Sequence, residues 1–125
     1  MRKSARILLV EDESLVRLMV NEMLVDLGHE VVAEADSLDR AIELATTEDY
    51  DLAILDVNLG DVDTYAVAEI ARDRGKAVVF STGYGPAEMP ADYRSSVVLQ
   101  KPFTNDALSR AVGLALSQAA RGKSC

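Results

Sequence analysis

Four places in this 125-residue chain set reactive side chains at the end of a short apolar run. Glu11 and Asp12 follow ARILLV (5–10). Asp56 closes DLAILD (51–56), with Asn58 two residues on. Thr82 closes AVVFST (77–82) and is followed by Gly83. Lys101 and Pro102 follow SVVLQ (96–100). In an open parallel sheet, ligands sit beyond the carboxyl ends of the strands. If the first and third runs are neighbours, three carboxylates crowd one edge. Like charges that close repel and raise one another's pKa. A hard divalent cation held by oxygens relieves this. Mg²⁺ suits a few carboxylates plus waters, and Mn²⁺ is the alternative. An ammonium and a hydroxyl nearby complete a place for an anion held against that metal. Phosphoryl transfer to a carboxylate needs such parts: a nucleophile, a metal, a point cation and a hydrogen-bond donor.

Elements must position these groups. The runs at 5–10, 30–35 (EVVAEA), 51–56, 77–82 and 96–100 are mostly apolar, as in strands covered on both faces. Helical patterns lie between them. Over 14–27, Leu15, Met19, Met23 and Leu27 recur on one face, with Val16, Val20 and Leu24 beside them, and Gly28 supplies the stop. Segment 37–47 opens on Ser37 as N-cap and turns Leu38, Ala41, Ile42 and Ala45 inward. Segment 63–74 does so with Val67, Ala68 and Ala71, and 104–120 with Leu108, Ala111, Val112, Ala115 and Ala119. This βα alternation predicts an α/β fold, a parallel sheet with helices on both faces. One unit differs. GYGPAEMPADYRS (83–95) holds two prolines and two glycines, so at most a short or frayed fourth helix is expected there.

The composition sets bounds. The length suits one domain over 1–125, with a core of about 5–120, short tails and no output domain. A net charge of −8 argues against nucleic acid or an anionic membrane as partner. The one cysteine, Cys125, leaves no internal disulfide, and no run approaches the ~20 apolar residues of a membrane span. A cytoplasmic protein is expected.

Taken together, LLVEDE, AILDVNLGD, FSTG and LQKPFT resemble, in order and spacing, the strand ends of receiver domains of bacterial two-component response regulators. The likeness covers essentially the whole chain. It implies a five-stranded (βα)5 flavodoxin-like doubly wound sheet in the order 2-1-3-4-5. It implies a phosphoacceptor signalling protein, not a metabolic enzyme, with autodephosphorylation as its only turnover. Asp56 would accept the phosphoryl group from a phosphohistidine of a sensor histidine kinase or phosphotransfer protein. Asp12, Asp56 and the Asn58 backbone carbonyl would hold Mg²⁺, with Glu11 near or water-bridged. Thr82, Gly83 and Lys101 would bind the phosphoryl oxygens, and the Lys101–Pro102 peptide would be cis. A downstream protein partner is implied, with the chain a monomer or a weak dimer.

One departure from this family matters. Receivers usually carry Tyr or Phe three residues before the lysine, as a rotating switch, and here that residue is Val98. FSTGY and the missing aromatic resemble a receiver subgroup named for its F-A-T-G-x-Y stretch, with Ser81 in place of its Ala. The candidates for signal output are therefore Tyr84, Val98 and Pro102. A pull on Thr82 would order the attached segment, with Tyr84 making the docked contact.

Each group also has a plain structural reading. The acids at 11–13 favour a helix N-terminus. Asp56 and Thr82–Gly83 could be turn residues, Lys101 a solvated strand end, and His29 and Cys125 surface residues. Two other functions compete: a phosphorylation-independent interaction module on the same fold, and a phosphate sink or relay for another regulator. A flavin site is excluded because EDES after the first strand would repel phosphate. An aspartyl phosphatase would want a second Asp where Asn58 stands. DVNLGD is not a calcium loop, since its glycine falls at position five and Val67 at position twelve.

Overall fold

A computed structural model describes residues 4–83, 89–93 and 95–123. In chain order the elements are β1 (Arg6–Val10), α1 (Ser14–Asp26), β2 (Glu30–Ala35), α2 (Leu38–Thr47), β3 (Leu52–Asp56), β4 (Asn58–Leu59), β5 (Val62–Asp63), α3 (Tyr65–Asp73), β6 (Ala77–Thr82), β7 (Val97–Gln100) and α4 (Asn105–Lys123). Five strands form one parallel sheet in the order β2-β1-β3-β6-β7. This is the expected 2-1-3-4-5 order, since β6 and β7 are the fourth and fifth sheet strands.

Successive strand residues point to opposite faces, so each strand feeds two cores. Leu8, Val10, Ala53, Leu55 and Phe80 pack with α2 and α3 on one face. Ile7, Leu9, Leu52, Ile54 and Val79 pack with α1 and α4 on the other. β3 is buried along its whole length. That is why LAILD carries no polar residue before its last position.

The helix boundaries have local causes. The Ser37 hydroxyl accepts from the Arg40 N–H at 3.4 Å at the start of α2. The Thr104 hydroxyl accepts from the Ala107 N–H at 3.1 Å at the start of α4. After α1, Gly28 takes φ +91°, a left-handed conformation that favours glycine.

The structure corrects two expectations and adds one element. First, α1 buries Val20 and Leu24 and packs Val16, Met23 and Leu27 beside them. Leu15 and Met19, expected on the inner face, are 74% and 60% exposed, and Leu18 joins them at 56%. Apolar residues surround most of this helix, so periodicity alone did not orient it. The added element follows Asp56. β4 and β5 form a small antiparallel hairpin across a two-residue turn at Gly60 and Asp61. Gly60 sits at φ +62°, as such a turn requires at one of its central residues. Second, α3 therefore starts at Tyr65 and not at 63, because Asp63 belongs to β5. Between β6 and β7 a short 3-10 turn, Ala91–Tyr93, is the helical piece among the described residues. Tyr84 lies outside the described residues.

Leu24→Ala should lower the unfolding free energy by about 2–5 kcal/mol in urea titrations. Leu15→Ala, on the exposed face of the same helix, should change it by less than about 0.5 kcal/mol. Equal losses would mean α1 is oriented otherwise.

Candidate functional site

β1 and β3 are adjacent, with Val10 paired to Leu55. The residues that follow on each strand therefore share one end of the sheet. Carboxylate oxygens of Glu11, Asp12 and Asp56 lie within 4.8 Å of one another. Glu11 and Asp56 are buried, at 3% and 9% exposed, and Asp12 faces solvent. Lys101, at the end of β7, reaches over β6 to both buried acids. Its Nζ lies 2.8 Å from Glu11 Oε1 and 3.3 Å from Asp56 Oδ2. The Lys101–Pro102 peptide is cis, as expected. The Lys101 N–H donates to the Thr82 carbonyl at 2.8 Å, which ties the ends of β6 and β7 together.

The electrostatics follow from this crowding. Burial and the neighbouring Glu11 push the Asp56 carboxyl up to about 6, against the opposing pull of Lys101. Burial alone would lower the Lys101 ammonium. Its hydrogen bond to Glu11 and the charges of Asp56 and Glu11 outweigh that and hold it above its usual value. Three carboxylates thus face one ammonium. The oxygen-only cluster of Glu11, Asp12 and Asp56 could hold a metal ion.

The other expected residues fall around this centre. Thr82 is buried at the end of β6, and Gly83 beside it is exposed with open space where a Cβ would stand. Asn58 opens β4, and its N–H donates to Asp56 Oδ1 at 3.4 Å. Val98 is half-buried against the core that holds Phe80, while Pro102 is exposed. Glu11 is more central than the sequence suggested. It pairs directly with Lys101 and also accepts the Glu13 N–H at 3.2 Å.

Two residues of the site were not foreseen. Arg17 donates to the Glu11 carbonyl at 2.8 Å and pairs with Glu34 at 3.2 Å, bracing the β1 end against β2. Thr64 is fully buried, and its hydroxyl donates to the Asp56 carbonyl at 2.7 Å, with the Val57 carbonyl at 3.3 Å. The sequence places Thr64 near the start of the helical segment 63–74, and nothing local marks the carbonyl that its hydroxyl meets.

This sheet, with its acids at the ends of β1 and β3 and its lysine after β7, defines a class. The response regulator receiver domain family matches residues 7–113, and the chain belongs to that family. The transcriptional regulatory protein PdtaR of Mycobacterium tuberculosis is 37% identical over 117 residues, covering 90% of this chain and 57% of PdtaR. The chain thus spans little more than half of that relative. The chemotaxis protein CheY of Bacillus subtilis is 30% identical, covering 90% of this chain and 98% of CheY. The solution structure of SdrG from Sphingomonas melonis Fr1 superposes with a TM-score of 0.81 at 36% identity, covering 94% of this chain and 99% of SdrG.

The raised Asp56 pKa has a consequence for stability when no metal is bound. Between pH 4 and about 6 the folded chain holds a proton on Asp56 that the unfolded chain releases. Stability in chelator should therefore fall as pH rises through that window, by on the order of 1–3 kcal/mol. Asp56→Asn should remove this loss and raise the thermal midpoint at pH 7.5. Melting curves from pH 4 to 8 in EDTA check it, and parallel curves for the two proteins would contradict it.

Proposed function

We propose that this protein is a phosphoacceptor signalling module that takes a phosphoryl group onto Asp56 from a phosphohistidine. The observation that carries the reading is the strand-end constellation. Asp56 lies among two further carboxylates and touches an ammonium that arrives from a distant strand. A solvated turn residue needs no such company.

An Asp56 oxygen attacks the phosphorus of the donor. The P–N bond breaks, its electron pair returns to the imidazole nitrogen, and an acyl phosphate forms. Lys101 offsets charge on the phosphoryl oxygens from the position it already holds against Asp56. Thr82 and the Gly83 amide supply hydrogen bonds to those oxygens. Asp12, Asp56 and the Asn58 carbonyl are the ligands for Mg²⁺, or Mn²⁺, with Glu11 alongside. The all-oxygen donor set and its excess of negative charge fit such an ion. When bound, it supplies neutralisation of the charge that builds up during transfer. Water later cleaves the acyl phosphate, returning the carboxylate and inorganic phosphate. The chain turns over no metabolite in this scheme.

The donor is a protein, a sensor histidine kinase or a phosphotransfer protein. Leu15, Leu18 and Met19 form an exposed apolar ridge on α1, which starts just after Asp12. A ridge of that kind suits a partner helix better than a small molecule. The net charge of −8 likewise favours a protein over nucleic acid as the downstream partner. Two chain-level expectations join this proposal: a cytoplasmic setting, and a monomer or weak dimer.

Incubation with acetyl phosphate and Mg²⁺ should add the mass of one phosphoryl group to the intact protein. Asp56→Asn should lose the adduct entirely. Lys101→Ala should slow its formation at least tenfold. Equal labelling of Asp56→Asn would overturn the assignment.

A further inference from the structure

Val98 leaves the chain without a ring at the expected switch position, yet an aromatic cluster stands close by. Tyr65, the first residue of α3, stacks on Tyr93 of the 3-10 turn, with centroids 4.5 Å apart and planes 20° from parallel. Phe80 of β6 meets both rings edge-on, at 5.7 Å and 5.6 Å. Tyr93 is pinned further by α3. Its hydroxyl donates to Glu69 Oε2 at 2.7 Å, and the Arg72 guanidinium lies 5.1 Å from its ring centre. Arg72 also reaches the Ser96 hydroxyl, three residues beyond Tyr93. Burial and Glu69 push the Tyr93 phenol up to about 12, so it remains a donor across the working pH range.

This cluster is wired to the site by two short routes. Thr64, the residue before Tyr65, clamps the Asp56 carbonyl through its buried hydroxyl. Phe80 lies two residues before Thr82 on β6, and the next residue, Ser81, pairs with Asp56. Any change in the main chain at Asp56, or at the end of β6, therefore moves one wall of the pocket that holds Tyr93.

We propose that Tyr93 is the output latch of this chain, closed on Tyr65 when Asp56 is unmodified and released when Asp56 carries a phosphoryl group, with Thr64 as the residue that couples the two. The inference rests on the proposed acceptor role of Asp56. Its direction follows from the packing. The ring is already stacked, edge-contacted and hydrogen-bonded, so a shift of either wall loosens it. Release uncovers Tyr65 and frees the already exposed Glu69 and Arg72 of α3 from their contacts with Tyr93, and the strand-end chemistry need not change. Thr64 and Tyr93 are positioning residues in this account and touch no reacting atom.

The chain can be labelled with 3-fluorotyrosine and its resonances assigned by single Tyr→Phe variants. Beryllofluoride with Mg²⁺ serves as the phosphoryl mimic, and its own fluorine signal reports occupancy at Asp56. Occupancy should shift or broaden the Tyr93 resonance and leave Tyr50 unchanged. Thr64→Val should keep the bound-mimic signal and reduce the Tyr93 response at least threefold. Thr64→Ser, which retains the hydroxyl, should restore it. A Tyr93 resonance that stays put with the mimic bound would overturn the latch. A full response in folded Thr64→Val would overturn the coupling. If no mimic binds wild type but Asp56→Asn behaves identically in the mass assay, the acceptor reading itself fails, and the latch falls with it.

Discussion

The ion pair from Lys101 to Glu11 and Asp56 joins residues 90 and 45 positions apart. It forms only if β7 lies two places from β3 with all carboxyl ends level. One ammonium among three carboxylates leaves the centre short of positive charge. Burial, with the charge of Glu11 beside it, raises the Asp56 pKa, and the excess of carboxylates makes the site receptive to a cation. It also sets the demands on the rest of the chain. The strands must be parallel, their crossovers must fall on both faces, and β3 must be buried so that its last residue is desolvated.

The sheet meets those demands through alternation. Every core strand supplies one set of apolar side chains to α1 and α4 and the other set to α2 and α3. Register is then strongly specified, because a slip of one residue would exchange the two faces. With register held, the strand ends come level without further specification. The hydrogen bonds from Glu11 N–H to the Ala35 carbonyl, and from Val57 N–H to the Ser81 carbonyl, carry the ladder to the edge of the site.

Beyond the sheet, the β3–α3 connection does more than link two elements. The β4–β5 hairpin shortens the open chain after Asp56, and Thr64 folds back under it to hold the Asp56 main chain. Tyr65 follows at once and packs among Phe80, Tyr93 and Met89. Acid site, hairpin, helix start and aromatic cluster are thus contiguous. Val98 is half-buried against the core that holds Phe80, its partner across the β6–β7 ladder.

Much of this was legible along the chain. The five strands, the Ser37 cap and the four strand-end groups are local signals, because propensity, apolar period and capping chemistry act over a few residues. The inner positions of α2, α3 and α4 were legible for the same reason, since each has a polar face to contrast with its apolar one. α1 lacks that contrast along much of its length, and only packing against the sheet decided that Leu15 and Met19 face out. The Lys101 pair with Glu11, the Thr64 clamp and the Tyr93 stack were likewise decided by tertiary structure. Each joins groups whose separation depends on how whole elements are placed. A threonine, a tyrosine or a glutamate carries no mark in its own neighbourhood of which distant atom it will meet.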